Sequence, residues 1–227
     1  MISPRPVMII MDTTYFRRTL GVTVFRDYYQ RENLLWKFVK YETIFQYIEG
    51  IRELQERGFE IKGIVTDGRR GIFKVFSGIP IQMCQFHQLQ IVRRYLTNNP
   101  KLEAGIELKR FAGYLTTTDR ESFEGWINGW YKRWEKFLKE KTINLDTGKW
   151  VYTHRKLRSA YSSLKTNMEY LFTCHKYKSL EMPNTTNSLD GSFAHLKDKV
   201  RIHRGLKLER KKKLIAQILL RKINTKL

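Results

Sequence analysis

Acidic residues are scarce in this 227-residue chain: 22 Asp and Glu stand against 43 Lys and Arg, for a net charge of +21. Cysteine is scarcer still. Two thiols, Cys84 and Cys174, cannot build a disulfide framework, and they fit a reducing compartment. The longest early apolar run, Val7 to Met11, is followed at once by Asp12. It is too short for a membrane span, and it has neither the basic flank nor the small-residue cleavage site of a signal peptide. There is no internal repeat and no low-complexity stretch. Secreted mini-proteins, membrane proteins and fibrous repeats are therefore excluded. What the chain has in quantity is core-forming material, 41% hydrophobic and 13% aromatic, too much for a disordered basic tail. At about 150 residues per domain, the length suggests one domain with an elaboration, or two small ones. A soluble domain with pI near 10.0 is expected to work on a polyanion, of which nucleic acid is the commonest.

The positive charge is uneven. From Phe193 to Leu227 there are 12 Lys/Arg and 2 Asp/Glu, about half of the whole excess. Glu209-Arg-Lys-Lys-Lys213 leads into Leu214, Ile215, Ile218 and Leu219, a helix with one apolar stripe. A lone lysine run usually marks a solvated helix face. Here it ends a segment that already holds Lys197, Lys199, Arg201 and Arg204, so phosphate contact is expected from these residues and from Lys211, Lys212 and Lys213. Charge alone separates neither DNA from RNA nor binding from chemistry.

The first hundred residues alternate between strand and helix signals. Val7–Met11, Leu20–Arg26 and Leu34–Val39 read as three strands with short polar connections, as hairpins require. Ile44, Tyr47, Ile48, Ile51 and Leu54 recur at helical spacing, and Gly58 supplies a stop. A strand over Ile61–Val65, a short helix around Gly71–Phe76, a strand over Pro80–Phe86 and a helix from His87 to about Leu96 complete the series. Three meandering strands followed by helix-linked ones predict an α/β domain with a mixed sheet flanked by helices. After Asn98-Asn99-Pro100 only helices are expected. Phe123, Trp126, Ile127, Trp130, Tyr131, Trp134, Phe137 and Leu138 form one stripe, its three tryptophans read as core. A polar break at Asn144–Gly148 precedes a second stripe through Leu157, Ala160, Tyr161, Leu164, Met168 and Leu171. Met182–Asn187 is a loop ending in good N-cap residues, with a helix beginning near Ser188. The expected division is 1–99 for the first part of the core, 100–180 for an all-α insertion, and 181–227 for the final helices with a basic C-terminal segment.

Three acids stand at informative places. Asp12 ends the first strand, Asp67 the fourth, and Asp190 lies in the first turn of a late helix. Side chains at strand ends of an α/β sheet project rigidly into the crevice where ligands bind. Two such aspartates with a third acid from a packed helix can chelate a pair of divalent cations, which stabilise the attacking and leaving oxygens of a phosphoryl transfer. Each acid also has an ordinary explanation. Asp12 can cap a turn, Asp67-Gly68 is a common turn pair, and Asp190 favours a helix N-terminus. Spacing alone does not bring them together.

Met11-Asp-Thr-Thr-Tyr15, Gly63-Ile-Val-Thr-Asp-Gly-Arg-Arg-Gly-Ile-Phe73, Cys84-Gln-Phe-His87 and Thr185-Thr-Asn-Ser-Leu-Asp-Gly191 resemble the catalytic core of Mutator-type DDE transposases, in particular those of bacterial insertion sequences. The resemblance runs from about Pro6 to Lys213. It implies a ribonuclease H-like mixed sheet interrupted by an all-α insertion before the last catalytic helix. It also implies that Asp12, Asp67 and Asp190 are the catalytic, metal-binding triad for two Mg²⁺ or Mn²⁺ ions, with Cys84 and His87 as active-site support. The chain departs from the family in two ways. The last acid is usually glutamate, whereas Asp190 is one methylene shorter; Glu181 lies before the Thr-Thr-Asn landmark and is the weaker substitute. Only Met1–Pro6 precedes the first strand, where the family carries a DNA-recognition region, so a truncated copy or an isolated catalytic part is expected.

Cys84-x-x-His87 also reads as half a zinc site, but Cys174-His175 is a poor second half and no zinc is expected. Cys84 reads as a small core residue of its strand, and His154, His175 and His195 have no ligand-like spacing. The resemblance implies metal-dependent DNA cleavage and strand transfer by a cytoplasmic bacterial enzyme, with DNA as partner, a homo-oligomer on DNA and no membrane. Two alternatives stay open: a ribonuclease H-like nuclease, and a decayed or truncated transposase that only binds DNA.

Overall fold

The computed structural model describes residues 3–69, 71–76 and 78–220. Its first strand, β1 (Pro6–Arg17), is apolar on both sides. Val7, Ile9 and Met11 enter one buried cluster, and Met8 and Ile10 another. Successive side chains of a strand point to opposite faces, so this pattern requires a central strand covered on both faces. β1 occupies that place in a five-stranded sheet with β2 (Leu20–Asp27), β3 (Glu32–Val39), β4 (Glu60–Thr66) and β5 (Ile81–Met83), ordered β3-β2-β1-β4-β5. β1, β2 and β3 are antiparallel neighbours; β4 and β5 run parallel to β1. The sheet is mixed and flanked by helices, as the sequence pattern implies.

α1 (Ile44–Glu56) covers one face with Tyr47, Ile51 and Leu54. Its start is fixed by a capping box between Thr43 and Gln46, and its end by Gly58 at φ 86°. The chain then forms α2 (Gln85–Leu96), α3 (Glu103–Gly113), α4 (Arg120–Lys139), α5 (Arg155–Leu171) and the short α6 (Thr173–Lys176). α7 (Asn187–Ile202) and α8 (Leu208–Leu220) cover the second face, where Leu189, Phe193, Leu196, Val200, Ile215 and Leu219 pack on Met8, Ile10, Val22 and Val24.

The helical unit has its own core, and α2 belongs to it: Val92 and Leu96 pack with Leu108, Phe123, Ile127, Trp130, Leu157 and Leu164. A glutamine clasp joins this unit to the sheet. Gln82 and Gln85 each donate to the Leu171 carbonyl at 2.8 Å, while Gln82 Oε1 accepts the Cys174 N–H at 2.9 Å. These residues sit at the junction of β5, α2 and the end of α5, so the clasp fixes where the chain returns to the sheet.

Four expectations about the bounds and types of elements change. β1 does not end at Asp12 but continues to Arg17, because β2 pairs it as far as Arg17 opposite Leu20. The strand expected over Pro80–Phe86 stops at Met83. There the Cys84 N–H turns to the Thr66 carbonyl and the Gln85 N–H to Asn184, and α2 begins two residues before His87. The helix around Gly71–Phe76 is a single 3-10 turn, Ile72–Lys74, entered through Gly71 at φ 90°. The block after Pro100 is not purely helical: Asn144–Gly148 is the turn of a hairpin between β6 (Lys141–Ile143) and β7 (Trp150–Tyr152). Asn144 Oδ1 accepts the backbone N–H of Asp146 and of Thr147, the side-chain chemistry that builds such a turn.

The tryptophan stripe is only partly core. Trp130 is buried with its indole N–H on the Ala104 carbonyl, and Trp134 is half-buried on Glu107. Trp126 stays 38% exposed, stacked against Phe111 at the rim.

The close approach of α1 to the sheet yields a test. A Cβ built on Gly50 would lie 2.0 Å from Cζ of Phe25, a fully buried ring that is also packed edge-on to Tyr47. Alanine in a helix interior normally gains about 1 kcal/mol over glycine. Overpacking costs about 1–3 kcal/mol and wins here. Gly50→Ala is therefore expected to lower the free energy of urea unfolding, where the propensity scale alone gives a rise.

Candidate active site

Strand periodicity places the first acid. Met8 and Ile10 face α7, and Asp12 is the next residue on that side. Thr13 points to the opposite face, where its hydroxyl meets Thr23 at 2.7 Å and the Tyr47 hydroxyl at 3.0 Å. The pairing of β4 with β1 ends at Met11 opposite Thr66, so Asp12 lies one step beyond the last residue that β4 covers. Asp67 follows Thr66 directly. Val65 packs in the α7-side cluster, and alternation assigns Asp67 to the same side.

Asp190 arrives from the other layer. It is the fourth residue of α7, whose start is held against α2: the Gln85 N–H donates to the Asn184 carbonyl at 2.9 Å, and Asn184 Nδ2 to Gln85 Oε1 at 2.9 Å. His87, the third residue of α2, completes the junction. One ligand atom from each of Asp12, His87 and Asp190 lies within 4.8 Å of the other two, and all three residues are partly buried. This group can hold a metal ion.

Asp67 lies outside that 4.8 Å group, yet it is electrically close. Burial raises the Asp12 carboxyl from its ordinary value to about 7, and the next largest contribution is repulsion from Asp67. Attraction to His87 and the Thr13 N–H, which donates to Asp12 Oδ1 at 2.7 Å, act against the rise; Asp190 adds a smaller repulsion. His87 rises to about 9. Its hydrogen bond to Cys84 is the largest cause, opposed by burial and aided by the charges of Cys84, Asp12 and Asp190. Burial pushes the Cys84 thiol up, but hydrogen bonds with His87 and Thr186 outweigh it and leave the thiol more acidic than an ordinary cysteine. Cys84 is thus a polar partner at the N-cap of α2 rather than an inert core residue of a strand.

The donor set suits a hard divalent cation. Carboxylate oxygens from two layers converge, and the Asp12 carboxyl near 7 is raised first by burial and then by repulsion from Asp67. Among the described residues the group consists of two carboxylates and the imidazole of His87, and Cys84 is engaged with Thr186.

The basic residues are spread more widely than their order suggests. α7 rises about 1.5 Å per residue. Lys197 is therefore roughly 10 Å along the axis from Asp190 and Arg201 roughly 16 Å, so they do not stand beside the acids. Lys197, Lys199, Arg201, Arg204 and Lys213 are exposed, and Arg201 pairs with Asp198 at 3.3 Å. Lys211 is a correction: it is 4% exposed, with Nζ 3.4 Å from the Arg204 carbonyl, and cannot reach a phosphate from there. Lys212 is half-buried and paired with Glu209 at 2.9 Å. The apolar stripe of α8 explains the burial, because it carries Lys211 inward with Ile215, one turn away. Positions 221–227 of the basic segment lie outside the described residues.

The sequence pattern assigns no role to Thr186, which is fully buried and bonds to Asp190 Oδ2 at 3.0 Å. A threonine before a helix ordinarily signals only a cap; Thr186 stands in the Thr185-Thr-Asn motif, but the motif by itself gives it no partner. Among the described residues, no helix is long and apolar enough to cross a membrane. No protein-family model matches the chain, and no curated protein does either.

The raised Asp12 carboxyl makes stability depend on pH. Its folded value near 7 lies above the ordinary 3.8, so the stabilisation is fully present below about pH 4 and lost as pH rises through 7. That shift corresponds to at most about 4 kcal/mol, less to the extent that water reaches the carboxylate. Asp12→Asn keeps an oxygen for the Thr13 N–H and removes the charge. In chelator-treated samples, its melting temperature should exceed that of the parent at pH 8, with the advantage disappearing near pH 4.

Proposed function

We propose that the chain is the catalytic core of a DDE-type DNA transposase related to the Mutator group, with a ribonuclease H-like fold. The observation that carries this reading is the convergence of Asp12 and Asp190, 178 residues apart in sequence, on His87 within 4.8 Å. The strand order β3-β2-β1-β4-β5, antiparallel for three strands and parallel for the next two, supports the fold assignment. The helical unit between β5 and α7 stands where the family's insertion precedes its last acid.

In this reading Asp12 and Asp190 hold the metal, and Asp67 adds a carboxylate from the neighbouring strand. Mg²⁺ or Mn²⁺, when bound, would supply activation of a water nucleophile and neutralisation of charge on the phosphate. His87 stands within 4.8 Å of both carboxylates, as a third ligand when its ring is neutral or a hydrogen-bond donor when it is protonated. The reaction needs no covalent enzyme intermediate: hydrolysis of a phosphodiester at the element end frees a 3′-hydroxyl, which then displaces a 3′-oxygen at a target phosphodiester. Asp190 replaces the family's usual glutamate, and the hydrogen-bonded approach of residue 184 to the start of α2 supports a shorter arm serving in its place. The exposed cations of α7 and the segment after it would hold DNA by its backbone, with the working complex a homo-oligomer that brings two DNA ends together.

The position of Asp67 outside the 4.8 Å group favours a second reading, a decayed transposase that binds DNA without cutting it. Plasmid nicking and strand transfer of a pre-cut 3′-hydroxyl oligonucleotide, each with Mg²⁺ and with Mn²⁺, separate the two. On the leading reading the parent chain performs both, and Asp67→Asn abolishes both while DNA affinity stays unchanged. Undiminished cleavage by that variant removes Asp67 from the mechanism, nicking without strand transfer points to a nuclease, and an inert parent supports decay. Replacing Lys199 and Arg201 by alanine should also flatten the plot of log affinity against log salt, by about 0.9 for each phosphate that is no longer neutralised. An unchanged slope places the DNA path elsewhere.

A further inference from the structure

The loop before α7 contains a threonine whose bonding departs from its position. Thr186 occupies the N-cap of α7, where a hydroxyl ordinarily accepts a backbone N–H from the first turn and contributes about 1 kcal/mol. No such cap bond forms. The side chain is fully buried, and its Oγ1 lies 3.0 Å from Asp190 Oδ2, 3.4 Å from Cys84 Sγ and 3.5 Å from His87 Nδ1. The Thr186 N–H donates to the same sulfur at 3.3 Å. A hydroxyl has one hydrogen to give and two lone pairs to receive with. Its shortest acceptor is Asp190 Oδ2. The lone pairs then remain for a donor such as His87 Nδ1, 3.5 Å away.

We propose that Thr186 is a positioning residue of the metal site, its hydroxyl fixing the Asp190 carboxylate while its backbone N–H anchors the loop on Cys84. This rests on the metal-site reading above. Groups hydrogen-bonded to metal ligands commonly set affinity by 10–100-fold, because they fix ligand orientation before the ion arrives. Here the hydroxyl forgoes its local bond to the helix and spans α2 and α7, the two elements that supply His87 and Asp190. Threonine rather than serine adds a methyl to the buried junction, and the proposal gives that methyl no part in metal binding.

The test measures Mn²⁺ binding to the full chain by electron paramagnetic resonance and by calorimetry, with melting temperatures recorded alongside. Thr186→Val keeps the shape and removes the hydroxyl; Thr186→Ser keeps the hydroxyl and removes the methyl. The expected result is a loss of at least about tenfold in Mn²⁺ affinity for the valine variant and a change within about twofold for the serine variant. Parent-like affinity in Thr186→Val overturns the proposal. So does a tenfold loss in Thr186→Ser, which would show that packing and not the hydroxyl matters, and this arm stands even if the valine variant does not fold. Asp12→Asn is the control for the site itself: if the parent shows no Mn²⁺ binding that Asp12→Asn removes, the metal-site reading fails and the proposal with it.

Discussion

The alternation of β1 governs the site. A strand that buries Val7, Ile9 and Met11 on one face and Met8 and Ile10 on the other cannot be re-registered by one residue without turning both sets at once. The same register carries Asp12 inward towards α7. The carboxylate is thus held in a costly place by the core around it, and burial is the largest reason its proton affinity rises. The free energy that keeps it there comes from packed apolar surface elsewhere along the strand.

Around that carboxylate the molecule has arranged a partial neutralisation. Asp67 and Asp190 increase the negative charge, while His87, made more basic by Cys84, opposes it. The chain as a whole is strongly positive, yet among the described residues the main positive influence on Asp12 is the imidazole of His87. Of the basic residues of α7 and the segment after it, Lys197, Lys199, Arg201, Arg204 and Lys213 lie exposed, farther along the chain. On the proposed function, this acidic centre within a basic surface would hold a polyanion by its backbone and gather cations at one point.

The helical unit serves the site by geometry. It packs its own core through α2, and the two glutamine side chains on the Leu171 carbonyl set the place where the chain rejoins the sheet. From there the short segment through Asn184 and Thr186 reaches the start of α2, so α7 begins with Asp190 already opposite β1. The β6–β7 hairpin, by contrast, leaves Leu145 and Trp150 exposed.

Elements governed by near neighbours are legible in the single chain: the two-sided apolar run of β1, the α1 stripe ending at Gly58, the acid in the first turn of α7 and the stripe of α8. Periodicity and turn chemistry act over a few residues, and one sequence carries them whole. The length of β1 beyond Asp12 is not legible there, because it is set by hydrogen bonds to β2. Nor is the early start of α2, which follows from the bonds of Cys84 and Gln85 to Thr66 and Asn184. The burial of Lys211 is likewise imposed from outside, by the packing of α8 against the sheet, on a residue inside a basic run. Which acids meet is settled by long-range packing alone. Asp12 and Asp190 are joined by His87 and aligned by Thr186, whereas Asp67 acts on them from beyond the 4.8 Å group, since distances across a sheet and between layers depend on contacts that no local spacing encodes.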